Sequence, residues 1–149
     1  MTLAATEWRG LGGPLGRYRA LADAGRLAFD AGQDRVAQRL QRCHDELLAA
    51  RGGWFRRPPV VPGVYIHGGV GGGKTLLMDL FVQSVQAGGV AAERTHFHRF
   101  MDGVHQRLRE LGRRARPLAA VAAEQRKACR VLCFDEFHVE DIADAMLLG

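Results

Sequence analysis

Gly68, Gly73, Lys74 and Thr75 occupy the fixed positions of a G-x-x-x-x-G-K-[ST] pattern in the stretch GGVGGGKT, and Asp135 and Glu136 stand side by side further along the chain. The first group suits phosphate chemistry. Glycines admit backbone conformations closed to other residues, so the N–H groups of Gly68, Gly69, Val70, Gly71, Gly72 and Gly73 can turn inward around an anion without a side chain in the way. A helix starting there aims its unpaired N–H groups and partial positive charge at the same anion. Lys74 is then the group that reaches the β and γ phosphates, and the Thr75 hydroxyl is a ligand for Mg²⁺. The acidic pair supplies the complement. Asp135 at the end of a strand can hold Mg²⁺ through its water shell, while Glu136 can deprotonate the water that attacks the γ phosphate. ATP and Mg²⁺ are therefore the expected cofactors, with Glu136 and Lys74 as candidate catalytic residues and Thr75 and Asp135 as candidate metal residues.

Each group has a plainer reading. The glycine run could be a connector in a glycine-rich chain, but with this composition the full pattern arises by chance only roughly once in a thousand such sequences. Lysine is also scarce: Lys74 is one of 2 lysines beside 19 arginines, and a compact ammonium fits a phosphate cradle better than a broad guanidinium. Asp135 and Glu136 alone could be a solvated acidic turn. Their pairing with the loop favours the catalytic reading, because strand ends present ligands at one edge of a parallel sheet.

The elements that must position these residues can be read from periodicity. VYIH, residues 64–67, runs directly into the glycines as a buried strand would. From Lys74 onward, Leu76, Leu77, Leu80, Phe81 and Val85 fall on one helical face, and Gly88-Gly89 supplies the stop. RTHFH, residues 94–98, reads as a second strand with Thr95 and Phe97 on one face. Phe100, Val104, Leu108 and Leu111 give another helix. A turn at Pro117 and a short helix lead to a third strand, RVLCFDEF, before a last helix in VEDIADAMLLG. Upstream, Val36, Leu40, Cys43 and Leu47 mark an amphipathic helix behind Asp30 and Asp34. Strands alternating with helices predict an α/β fold with parallel pairing. The organisation expected is an irregular arm over 1–16, a helical segment and linker over 17–61, and a core over 62–149.

The stretches GVYIHGGVGGGKTLLMDLF, HFHRFMDGVH and LCFDEFHVEDIADAMLL resemble, in order and spacing, the ZapE cell-division ATPases and their mitochondrial AFG-like relatives of the AAA+ class. Tyr18 and the Asp30 and Gln33 pair also fit. The resemblance implies a P-loop NTPase core of AAA+ type, a parallel sheet flanked by helices, that hydrolyses ATP to remodel a protein partner. In the bacterial branch the implied partner is FtsZ, at the division site beside the inner membrane; the mitochondrial branch implies membrane-protein quality control. The resemblance also leaves room for a homo-oligomer. It carries ATP binding onto Gly68 through Thr75, Mg²⁺ onto Thr75 and Asp135, and water activation onto Glu136. Gly72 departs mildly from the family, where a larger residue is common. The family continues past Gly149 with a sensor strand and an arginine finger. The sheet is therefore expected to be incomplete at its carboxyl end and the chain marginal alone. A nucleotide-binding or interaction module without its own catalysis is the alternative, and a nucleic-acid ATPase is third.

Other features are less pointed. A net charge of +5 accompanies heavy use of arginine, alanine and glycine, so it reads first as composition bias. Cys43, Cys129 and Cys133 form no CxxC pair, and no segment stays apolar for the ~20 residues of a membrane span, so the cytoplasm is expected. His96 and His98, at two-residue spacing on a strand, lack further ligands for a metal. The arginines at 107, 109, 113, 114 and 116 read as a solvated helix end, with nucleic acid, acidic lipid or a partner's acidic tail as the alternative.

Overall fold

Proline at the start of a helix costs nothing, since its missing N–H would have had no partner there and its φ is already helical. Helix α1 uses this and spans Pro14–Asp23. The irregular arm expected over 1–16 overlaps this helix from Pro14 on: the glycines around Pro14 read as breakers, but Gly13 caps a helix. A side chain at Gly13 would collide with Gln41, whose Oε1 accepts from the Leu15 N–H at 3.2 Å and satisfies that first-turn donor. The structure, a computed structural model, describes residues 12–50, 59–69, 71–137 and 142–148. Trp8, Trp54, Phe55 and the candidate loop residue Val70 lie outside them.

The chain forms two compact units, one ending at Val90 and the other beginning at Ala91. In the first, α1, α2 (Ala31–Ala49) and α3 (Lys74–Ala87) pack against one another. Their shared core holds Tyr18, Leu21, Ala37, Leu40, Cys43, Leu47, Leu77, Leu80, Phe81 and Val85. Leu40, Cys43 and Leu47 are the face expected from sequence; Val36 is half-buried, and Ala37 fills the contact instead. Asp30 caps α2 by accepting from the Gln33 N–H at 2.8 Å. Helix α3 stops at Gly88, where any side chain would strike Leu48, and Gly89 turns the chain with φ +81°.

The strand expected over 64–67 is absent. Val64 and Ile66 are half-buried while Tyr65 and His67 are exposed, the alternation of an extended segment, but no strand among the described residues pairs with it. A ladder needs a neighbour, and local sequence does not supply one.

In the second unit, β1 (Ala92–His96) pairs in parallel with β2 (Val131–Asp135), with His96 opposite Asp135. This bears out the parallel pairing expected for the last two strands. Helix α4 (Phe97–Leu111) starts immediately after β1, and α5 (Pro117–Ala128) packs against it. Phe97 and His98 are thus helical rather than extended. Phe97 opens the buried face Phe97, Met101, Val104 and Leu111, and that helical period overrides the short alternation read as strand. The His96 and His98 rings stack with centroids 5.7 Å apart. Phe97 and Phe100 meet Phe134 at 5.6 and 4.9 Å, joining α4 to β2. Helix α6 spans Ile142–Leu148, and the His105 ring bonds Asp144 at 2.6 Å.

Candidate functional site

The glycines of the loop are required by its geometry at three positions. Gly68, Gly71 and Gly73 have φ of +151°, +82° and +74°, where a Cβ is disfavoured. Gly73 is also the N-cap of α3, and the helix ladder starts with the Leu77 N–H donating to its carbonyl at 3.0 Å. The first-turn amides thus lie ahead of the ladder, at the positive end of the helix. Lys74 folds back over the loop and donates from Nζ to the Gly68 carbonyl at 2.8 Å and the Gly69 carbonyl at 2.6 Å. An ammonium has three N–H donors, so one remains for an anion after these two bonds. Thr75, next along, is exposed. Gly71, Gly72, Gly73, Lys74 and Thr75 run without a break into α3, whose buried face anchors them, and Lys74 ties Gly68 and Gly69 to the same helix end.

Asp135 is the last residue of β2, and the next residue, Glu136, turns away with φ +50°, a left-handed conformation uncommon for a residue with a side chain. Glu136 is exposed. Asp135 is not. Its side chain is 16% accessible, and Arg94 donates to Oδ2 from both Nε at 2.8 Å and Nη2 at 2.5 Å. In the β1–β2 register Arg94 faces Cys133, so Arg94, His96, Cys133 and Asp135 share one side of the ladder. Phe134 takes the other side, against α4. The loop belongs to the first unit and the two carboxylates to the second.

Two residues near these groups carried no assigned chemistry in the sequence. Arg94 is one arginine among many, and only the pairing of β1 with β2 brings its guanidinium to Asp135. Gln33 enters the sequence reading only through the family resemblance, and its Nε2 lies 3.3 Å from the Gly72 carbonyl. The basic cluster after residue 106 is partly neutralised: Arg107 donates to Glu124 at 2.8 and 2.7 Å and to Glu110 at 2.9 Å. Those bonds hold the guanidinium well above its ordinary range and both carboxyls below theirs.

Residues 13–149 match the family model described as AFG1-like ATPase. The chain belongs to that family. It is 41% identical to "Cell division protein ZapE" of Escherichia coli strain K12, over 91% of this chain and 40% of that protein. It is 42% identical to "Lactation elevated protein 1 homolog B" of Danio rerio, over 62% of this chain and 20% of that protein. The chain thus spans well under half the length of the curated relatives it matches. No solved structure matches it. Family membership accords with a P-loop fold, of which the described residues hold two parallel strands and their helices. No helix among the described residues is long and apolar enough to cross a membrane.

Proposed function

We propose that this chain carries the ATP-binding and hydrolysing machinery of a ZapE-type ATPase of the AAA+ class. The observation that supports this best is the loop itself: an ammonium bridging two loop carbonyls at the mouth of a helix capped by a left-handed glycine, within a chain of an ATPase family. Gly68 through Thr75 grip the phosphates through main-chain amides, and Lys74 holds the β and γ oxygens. The Thr75 hydroxyl and the Asp135 carboxylate are hard oxygen donors of the kind Mg²⁺ selects, and when bound the ion neutralises phosphate charge. Glu136 takes a proton from water as its oxygen attacks the γ phosphorus; the bond to the β–γ bridging oxygen breaks and ADP leaves. This reading requires the loop and the acidic pair to meet around one nucleotide.

Titration with ATP tests it. Lys74→Ala should abolish binding, whereas Glu136→Gln should keep binding and lose turnover by ~100-fold or more, the usual worth of a general base. Normal hydrolysis by Glu136→Gln would remove that residue from the mechanism. By analogy with the relative named for cell division, the work driven by ATP is remodelling of a polymerising protein partner such as FtsZ, in the cytoplasm beside the inner membrane. Nucleotide-dependent change in FtsZ sedimentation, lost in Lys74→Ala, is the expected sign.

One observation favours a second reading. Asp135 is already engaged by Arg94, which suits a module that binds nucleotide without hydrolysing it. Under that reading a single-turnover assay would show bound ATP intact.

A further inference from the structure

We propose that Gln33 is a positioning residue for the phosphate loop, held in place by a relay from Tyr18 through Asp30; this rests on the loop being a nucleotide site. Tyr18 is 0% exposed, and its hydroxyl accepts from the Asp30 N–H at 3.0 Å while donating to the Asp30 carbonyl at 3.1 Å. Both main-chain groups of residue 30 are therefore fixed by one buried side chain. Asp30 in turn accepts from the Gln33 N–H, which sets the first turn of α2. Gly32 keeps this turn tight, since a Cβ there would lie 2.9 Å from the Asp30 carboxylate.

Gln33 then spends its side chain on the loop rather than on its own helix. Its Nε2 donates to the Gly72 carbonyl at 3.3 Å, and a Cβ on Gly73 would lie 2.6 Å from the same nitrogen. The amide thus lies against the last two glycines before Lys74. The Gly72–Gly73 peptide is planar and trans, so its carbonyl and its N–H point in opposite directions. Drawing the carbonyl toward Gln33 turns the Gly73 N–H away from it, freeing that amide for an anion on the far side. An amide side chain is needed for this: a glutamate would set carboxylate oxygen against carbonyl oxygen, and a methionine would fill the space without donating.

The test measures binding of N-methylanthraniloyl-labelled ATP with Mg²⁺ to the whole chain and three variants, beside thermal melting of each without nucleotide. Gln33→Met should bind about fivefold more weakly, the usual net worth of one neutral hydrogen bond, with its melting midpoint unchanged. Gln33→Glu should bind more weakly still. Tyr18→Phe, which removes only the hydroxyl, should weaken binding in the same direction, and adding it to Gln33→Met should cost little more, because both act through one chain of bonds. Unchanged affinity in Gln33→Met and Gln33→Glu, while Lys74→Ala binds nothing, would overturn the positioning role and leave the nucleotide site intact. Full additivity of the double variant would overturn the relay. Equal binding by Lys74→Ala and the parent would bring down the nucleotide site and this proposal with it.

Discussion

The phosphate loop and the acidic pair are mounted in contrasting ways. Behind the loop, α3 buries Leu77, Leu80, Phe81 and Val85 against two other helices, and Leu77 and Val85 are nearly inaccessible. Behind the acidic pair, none of the five residues of β2 is fully buried, and among the described residues the sheet has two strands. Two-stranded sheets gain little stability by themselves, whereas an amphipathic helix in a packed core is held by apolar burial. The glycine loop is thus mounted on a packed helix, whereas the carboxylates depend on a charge pair and a few phenylalanine contacts.

Substitutions can break that comparison. Leu77→Ala should be the most damaging: deleting a core side chain of this kind costs about 2–5 kcal/mol, read as a lower denaturant midpoint. If α3 is the loop's footing, the same variant should also weaken nucleotide binding. Arg94→Met should come next. Removing charged hydrogen bonds to a partly buried carboxylate costs roughly 1–3 kcal/mol, expressed in the second unit. The expected gain is stronger Mg²⁺ binding in the presence of ATP, since Asp135 is released; a loss of Mg²⁺ affinity would show that Arg94 aims the carboxylate instead. Hydrogen exchange sharpens the contrast without mutation, as amides of β1 and β2 should exchange before those of α2 and α3. Exchange in the opposite order would reverse that contrast.

The smallest effect concerns acid. Hydrogen bonds from Arg19 and Gln38 hold the Asp34 carboxyl below its ordinary range. A depressed native pKa adds stability at pH values above the ordinary aspartate range, and that stability is lost as pH falls through the depressed value. Glu110 and Glu124 behave likewise in the second unit through Arg107. Asp34→Asn should therefore flatten the acid limb of unfolding for α1 and α2 only, and an unaltered limb would assign acid sensitivity elsewhere.

What the sequence revealed follows from the range of each interaction. Helices α2 and α3 were legible because their apolar spacing and caps are local, and the glycines of the loop because backbone conformation is dictated residue by residue. The missing pairing of residues 64–67 was not legible, since a strand is defined by a neighbour far along the chain. His98 is helical although the alternation around it suggests strand, because two alternating residues carry less information than the longer helical period beginning at Phe97. The bond from Arg94 to Asp135, two residues along from its partner Cys133, depends on strand pairing, and Gln33 depends on a tertiary contact. The loop's residues were readable as a motif, while the groups that brace them were not.

Strand β1 passes into α4 with no intervening residue: His96 ends one and Phe97 begins the other. Such a junction has no slack to absorb a tilt. A force that rocks α4 about its axis is delivered to His96 and, across one rung, to Asp135, so whatever touches the outer surface of that helix has mechanical purchase on an acidic residue it never meets.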